Sequence, residues 1–191
     1  MLRTAANKPQ MEDGLSHALG PVDQIGYVVA DLDTAVARWT QRMGLGPWTV
    51  FRNTRLDGEY RGSPTVVTMD VALAYQGGIQ IELIDVRSDT PSPYAHDGRL
   101  LTGVHHIAWV VDDLDRSVAA AEARGLVVAF TAGNEAVRVA YLENPGEEGV
   151  RYELIEGAGM REMIAAGIAA SAHFDGHNPI TEIDLGAGGP A

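Results

Sequence analysis

Two halves of this chain run through the same order of apolar and polar positions. From Gln24 to Val29, β-branched and aromatic residues predict a strand. Leu32, Ala35, Val36, Trp39 and Met43 then recur at helical spacing and predict one buried face. Asp31 stands where the helix cap belongs, and Gly44 stops the helix. The plan returns with a strand from His106 to Val111 and an Asp113 cap. Leu114, Val118 and Ala121 mark the second helical face, and Gly125 stops it. Strand-like material follows each helix. In the first half it covers Trp48 to Arg52, Thr65 to Ala74 and Ile79 to Val86, with Gly77-Gly78 as a hairpin signal. In the second it covers Val127 to Thr131, Val137 to Leu142 and Val150 to Glu156, with Asn144-Pro145-Gly146 as a turn. Each half therefore reads strand, helix, then three strands.

The letters repeat along with the pattern. VDQIGYVVADLDTAVA begins at Val22, and VHHIAWVVDDLDRSVA begins at Val104. The closing strands are IQIELID, ending at Asp85, and VRYELIE, ending at Glu156. A repeat this long means that one structural unit is used twice. Whatever Gln24 and Glu82 do in the first unit, His106 and Glu153 are placed to do in the second. Together they make an oxygen and nitrogen donor set suited to a divalent metal. The units span 22–88 and 104–157, joined by a linker over 89–103. Residues 1–21 read as a tail. Within 158–191, Met160 to Ala172 reads as a helix with an apolar stripe of Met160, Met163, Ile164 and Ile168, followed by a second tail.

Composition narrows the chemistry. The net charge is −12, which disfavours nucleic acid and anionic membranes. No run is apolar enough to span a bilayer, and the first twenty residues lack a signal-peptide core; a cytoplasmic protein is expected. Cysteine is absent, so disulfides, thiolate ligands and thiol nucleophiles are excluded. The one lysine, Lys8, lies in the tail, which argues against Schiff-base chemistry. His, Asp, Glu, Tyr and a bound metal are left to carry a reaction.

The doubled βαβββ unit, with HHIAWVVDDLD opening one copy and IELID or YELIE closing each, resembles the vicinal oxygen chelate superfamily. That group contains glyoxalase I, methylmalonyl-CoA epimerases, extradiol dioxygenases and bleomycin-binding proteins. The phrase IELIDVRSDTPSPY followed by GVHHIAWVVDDLD looks most like the epimerases. The resemblance implies an α+β fold: two βαβββ modules forming a curled mixed-sheet cup, with a C-terminal helix added here. It implies four ligands, Gln24, Glu82, His106 and Glu153, on one divalent ion (Zn, Mn, Co, Ni or Mg). It also implies a small-molecule substrate and a homodimer.

Side chains alternate along a strand, so Gln24, Gly26 and Val28 share a face, as do His106, Ala108 and Val110. Gly26 and Ala108 leave room beside the donors, and His105 is expected to face the other way, as a packed residue or one that supports the donors from behind. A metal with open positions polarises a carbonyl and acidifies the neighbouring C–H. A base then takes the proton. Glu153 and Glu82 are the first candidates, and Glu59, His105, His173, Asp175 and His177 are others. The reading is a metal-dependent isomerase, epimerase or lyase for a small carbonyl compound. A metal-free sequestering protein and an extradiol-type dioxygenase are the alternatives, although Gln24 stands where the latter needs a second histidine. Methylmalonyl-CoA itself is disfavoured by the acidic charge and the lack of a phosphate-binding loop. Trp48, Tyr60, Tyr75 and Trp109 are candidates to line the pocket, and Arg52, Arg55 and Arg61 to clamp a carboxylate.

Overall fold

Both predicted helix caps form. Asp31 accepts a hydrogen bond from the Thr34 N–H at 2.7 Å, and Asp113 accepts one from Arg116 at 2.9 Å. The duplication explains a second acid as well. Asp85, last residue of IELID, accepts from the Leu32 N–H at 3.0 Å, and Glu156, last of YELIE, accepts from Leu114 at 2.9 Å. Each module thus ends on a carboxylate that meets the exposed N–H groups and positive end of its own helix. These two acids are structural.

The computed structural model describes residues 14–147 and 149–186. In chain order the elements are α1 (Leu15–Leu19), β1 (Gln24–Val28), α2 (Leu32–Met43), β2 (Trp48–Tyr60), β3 (Ser63–Gln76), β4 (Ile79–Val86), β5 (Ala95–His96) and β6 (Arg99–Leu100). They continue with β7 (Gly103–Val110), α3 (Leu114–Glu122), β8 (Val127–Gly133), β9 (Val137–Glu143), β10 (Arg151–Gly157), α4 (Met160–Ser171) and β11 (Ile180–Asp184). Nine strands form one mixed sheet in the order β11-β2-β3-β4-β1-β7-β10-β9-β8. A further pairing of Asp57–Tyr60 on β2 with Phe130–Gly133 on β8 closes eight of them into a ring. The result is the expected cup, a mixed sheet curled into a barrel.

Alternation along the strands sorts the core into an inside and an outside. On β3, Val67, Met69, Val71 and Leu73 point into the ring, while Ala72 and Ala74 lie under α2. The inner cluster also holds Val28, Ile84, Phe130 and Tyr141. Outside, α2 packs on one module and α3 on the other. No described helix is long and apolar enough to cross a membrane.

Several boundaries differ from expectation. The first hairpin is longer, because β2 runs on to Tyr60. Its second half carries Arg55, Asp57 and Glu59 on an exposed face and a register shift between Phe51 and Thr54, which hides the strand pattern. Part of the expected N-terminal tail is helix α1, whose Leu15 and Leu19 pack against the α3 cluster; residues 1–13 lie outside the described residues. The C-terminal stretch adds β11, paired in parallel with Trp48–Arg52. Residues 187–191 lie outside the described residues. The linker holds the small β5–β6 hairpin and buries Tyr94 inside the ring.

Candidate metal centre

The first strands of the two modules, β1 and β7, lie side by side and antiparallel at the middle of the sheet. Their register places Gln24 opposite Ala108 and His106 opposite Gly26. Each donor from one module therefore faces a small residue from the other. At Gly26 the fit is obligatory, since an added Cβ would lie 2.0 Å from His106 Cε1 and 2.1 Å from Nε2. The closing strands flank this pair. Glu82 on β4 is in register with Gly26, and Glu153 on β10 with Ala108. Two-residue periodicity and the repeat together bring four side chains to one point inside the ring.

At that point His106 Nε2 lies 3.1 Å from Gln24 Oε1, 3.2 Å from Glu82 Oε2 and 2.9 Å from Glu153 Oε2. Gln24, His106 and Glu153 are buried, while the Glu82 side chain retains 16% exposure. A single N–H cannot satisfy three oxygens. Glu153 Oε2 faces the imidazole as an ion pair but makes no aligned hydrogen bond. Unpaired buried carboxylate oxygen is costly, and clustered lone pairs repel unless a positive charge sits among them. Without a metal that charge is a proton. Burial disfavours a charged imidazole, yet the Glu153 and Glu82 carboxylates outweigh it and push His106 up to about 10. Burial in turn raises Glu82 above the usual carboxylate range, with His106 opposing. Glu82, His106 and Glu153 are the group of described residues whose donor atoms lie within 4.8 Å of one another. An imidazole nitrogen, an amide oxygen and two carboxylates fit a divalent cation such as Zn, Mn, Co, Ni or Mg. Two carboxylates also balance its two charges, whereas one proton leaves the buried site negative.

The lone pair of His106 is aimed by its neighbour. His105 does not face the other way as simple alternation predicts. The β1–β7 register skips between His106 and Val104, so His105 is the extra residue of a bulge and also turns inward. It stacks on Tyr94 with ring centroids 4.8 Å apart. Its Nε2 lies 2.9 Å from the Pro93 carbonyl oxygen, which can only accept, so this nitrogen carries the proton. Its Nδ1 is then the acceptor for His106 Nδ1–H at 3.1 Å. Burial, helped by His106, lowers His105 to about 3 and keeps it neutral. The chain from Pro93 through His105 leaves Nε2 of His106 as the nitrogen facing the oxygens. Metal-binding histidines are oriented in this way by a bond to the other ring nitrogen.

A sequence model described as the Glyoxalase/Bleomycin resistance protein/Dioxygenase superfamily matches residues 23–141. The chain belongs to this superfamily. No curated protein matches the sequence. Solved structures with a similar fold include a hypothetical protein from Bacillus halodurans C-125, 23% identical, covering 71% of this chain and 93% of that one at a TM-score of 0.49. A variant of Streptomyces coelicolor methylmalonyl-CoA epimerase in complex with 2-nitronate-propionyl-CoA is 22% identical, covering 73% and 96% at 0.49. Methylmalonyl-CoA epimerase from Mycobacterium tuberculosis is 18% identical, covering 74% and 91% at 0.48. Members of the superfamily bind a divalent metal and act on small molecules.

Of the other residues expected around a glyoxalase-superfamily pocket, Tyr75 reaches Gln24 through Gln80, and most of the rest lie elsewhere. Trp48 and Trp109 are buried on the outer face, under α2 and α3. The Trp48 Nε1–H donates to Thr40 Oγ1 and the Leu45 carbonyl, and the Trp109 Nε1–H donates to the Gly20 carbonyl. The expectation that they contact substrate is corrected by parity: three residues beyond His106, an alternating strand points outward. Tyr60 does pack against the inner cluster, beside Arg61 at the β2–β3 turn. Arg55 is exposed and paired with Asp57 at 2.6 Å. Arg52 is shared by Asp33, Asp70 and Glu182, and Arg61 is paired with Glu143. The arginines expected to clamp a carboxylate thus already hold carboxylates of this chain. Glu59, His173, Asp175 and His177 are exposed.

A cavity of about 1050 Å³ lies between the linker and the β9–β10 turn, lined by residues that include Leu101, Val104, His105, Glu143 and Arg151. It reaches His105 but none of the four donors. Helix α4 instead covers their end of the ring, with Ile164 against Tyr75 and Val110. Sequence reasoning missed one buried polar residue here. Gln80 shares its strand face with Glu82, two positions away, and the phrase QIE was the available signal.

Proposed function

We propose that this member of the glyoxalase superfamily is a divalent-metal-dependent isomerase, epimerase or lyase, acting by proton abstraction next to a carbonyl in a small compound. The observation that carries the reading is the convergence of Gln24, Glu82 and Glu153 on Nε2 of His106, with Glu153 Oε2 lacking an aligned hydrogen bond. When bound, the ion supplies Lewis acidity, polarising a carbonyl oxygen and offsetting the charge that develops beside it.

The chain's own residues do the rest. Gln24, His106, Glu82 and Glu153 would hold the ion, and His105 fixes the imidazole. Glu82, the donor that retains exposure, is the side chain we assign to proton transfer, with Glu153 as its buried counterpart. The apolar inner wall, with Leu73 in register with Glu82, excludes water from the reacting carbon.

Purified protein would be assayed for metal content, then incubated in deuterium oxide with 2-hydroxy- and 2-oxo-acyl compounds. Deuterium wash-in at the carbon beside the carbonyl, lost with EDTA and restored by the ion, is the expected result. Tight metal binding without exchange, or oxygen uptake in its place, would remove the proton-transfer reading. Full metal content in Glu153→Ala would remove the ligand assignment.

A further inference from the structure

An imidazole offers one lone pair, and His105 fixes which nitrogen bears it. A side-chain amide is ambivalent, because a half-turn exchanges its acceptor oxygen for a donor NH₂. Gln24 serves the proposed cation only with its oxygen forward. With its NH₂ forward it would instead donate to Glu82 and Glu153 and fill the place of the ion. Something must set its direction.

His106 Nε2 meets the Gln24 oxygen at 3.1 Å, and two buried residues hold the amide in that direction. Gln80 is the register partner of Gln24 on the neighbouring parallel strand, and both are almost fully buried at 1% and 3% exposure. Gln24 Nε2 donates to Gln80 Oε1 at 2.7 Å, and Gln80 Nε2 donates to the Tyr75 hydroxyl at 2.7 Å. Tyr75 is itself the antiparallel partner of Gln80 and is pinned by α4: a Cβ on Gly167 would lie 2.0 Å from the Tyr75 ring. The second module has no counterpart. Arg151, which is to His106 what Gln80 is to Gln24, turns to Glu143 at 3.2 Å. Gln80 is therefore not a leftover of the repeat. Both ends of its amide are used, one on Gln24 and one on Tyr75.

We propose that Gln80, held by Tyr75, is the positioning residue that keeps the Gln24 side-chain oxygen facing the cation site. This deepens the function proposed above and rests on Gln24 being a ligand. Helix α4 packs on Tyr75, and hydrogen bonds run from Tyr75 through Gln80 and Gln24 to His106, so docking of that helix and readiness of the donor set are joined.

The test titrates Co²⁺ into the metal-free full-length protein, reading affinity by calorimetry and the ligand field by visible absorption. Orienting groups of this kind are typically worth about tenfold or more in metal affinity. Gln80→Met should weaken Co²⁺ binding by about tenfold in the wild-type background and shift the absorption bands. In a Gln24→Ala background the same substitution should cost nothing further, because its route of action is already gone. Tyr75→Phe, which keeps the ring packed on Gly167, should weaken binding by roughly two- to tenfold, the worth of one hydrogen bond. If Gln80→Met does not fold, Tyr75→Phe with and without Gln24→Ala decides the matter alone. Wild-type affinity in Gln80→Met and Tyr75→Phe, or an equal loss in both backgrounds, overturns the positioning role and leaves the metal site standing. Absence of Co²⁺ binding by the wild-type protein overturns both.

Discussion

Gly26→Ala is the smallest change that puts the site geometry at risk. The added methyl would stand 2.0 Å from His106 Cε1, 2.1 Å from Nε2 and 2.6 Å from Nδ1, across the face of the ring. Ordinary contact begins near 3.4 Å, so about 1.4 Å must be found. The imidazole has little freedom to give it. On its far sides are the Tyr141 ring, with centroids 5.2 Å apart, and the His105 nitrogen at 3.1 Å. Either the ring swings off the convergence point or β1 and β7 separate. Overpacking of this kind costs about 1–3 kcal/mol, which for a chain of this size lowers Tm by roughly 2–12 °C. Loss of the sole nitrogen donor should weaken Co²⁺ binding by about 100-fold or more, beyond what disturbance of an orienting group achieves. The assay pairs thermal melting with Co²⁺ calorimetry. Ala108→Gly, the symmetry-related position, serves as the control and should keep its affinity. A Gly26→Ala protein that melts and binds like the wild type would show that His106 does not lie against β1, and the four-donor centre would go with it.

The proposed ion should stabilise the fold: at a free concentration 100 times its Kd, linkage gives about 2.7 kcal/mol, or roughly 5–11 °C in Tm, and EDTA or Glu153→Gln should erase the rise in a melting scan. Metal and proton compete for Nε2 of His106, so apparent Co²⁺ affinity should climb with pH by up to about tenfold per unit and level off near the metal-free value of about 10. Because that folded value lies above the unfolded 6.5, the metal-free protein keeps this stabilisation in full below pH 6.5 and loses it as pH rises toward about 10. Urea unfolding across that range, with His106→Gln removing the slope, checks the sign. Arg52→Ala removes the cation shared by Asp33, Asp70 and Glu182; deuterium uptake at residues 180–184 should quicken while global stability drops by about 1 kcal/mol or less.

What the sequence revealed and what it hid divide along physical lines. The doubled βαβββ plan was legible because caps, helix stops and two-residue alternation all act over short range. The convergence of Gln24, Glu82, His106 and Glu153 was legible because the repeat turned one guess into a pairwise test. Trp48 and Trp109 were misplaced by attending to residue type over parity: counting from His106 already puts Trp109 outside the ring. The direction of His105 was missed for the opposite reason, since alternation fails at a bulge and no local signal marks it, although its role as a packed support for His106 was expected. The second half of β2 and all of β11 were hidden because edge and rim strands face water and need no apolar alternation; every residue of β11 is exposed. Gln80 was hidden, and Tyr75, though named as a pocket candidate, was not tied to it, because what they do depends on cross-strand register, which only the folded sheet defines.

Duplication alone would give a symmetric site, and the asymmetry is where function enters. The β1–β7 pair is symmetric in register, with each donor opposite the other module's small residue. Yet one donor is a neutral amide steered by a glutamine and a tyrosine, and the other an imidazole steered by a histidine and a carbonyl. Because neither of these two donors is charged when bound, Glu82 and Glu153 set the electrostatic demand, and two negative charges in a buried ring call for a divalent partner. A second histidine at position 24 would leave that demand unchanged but would need no steering by Gln80.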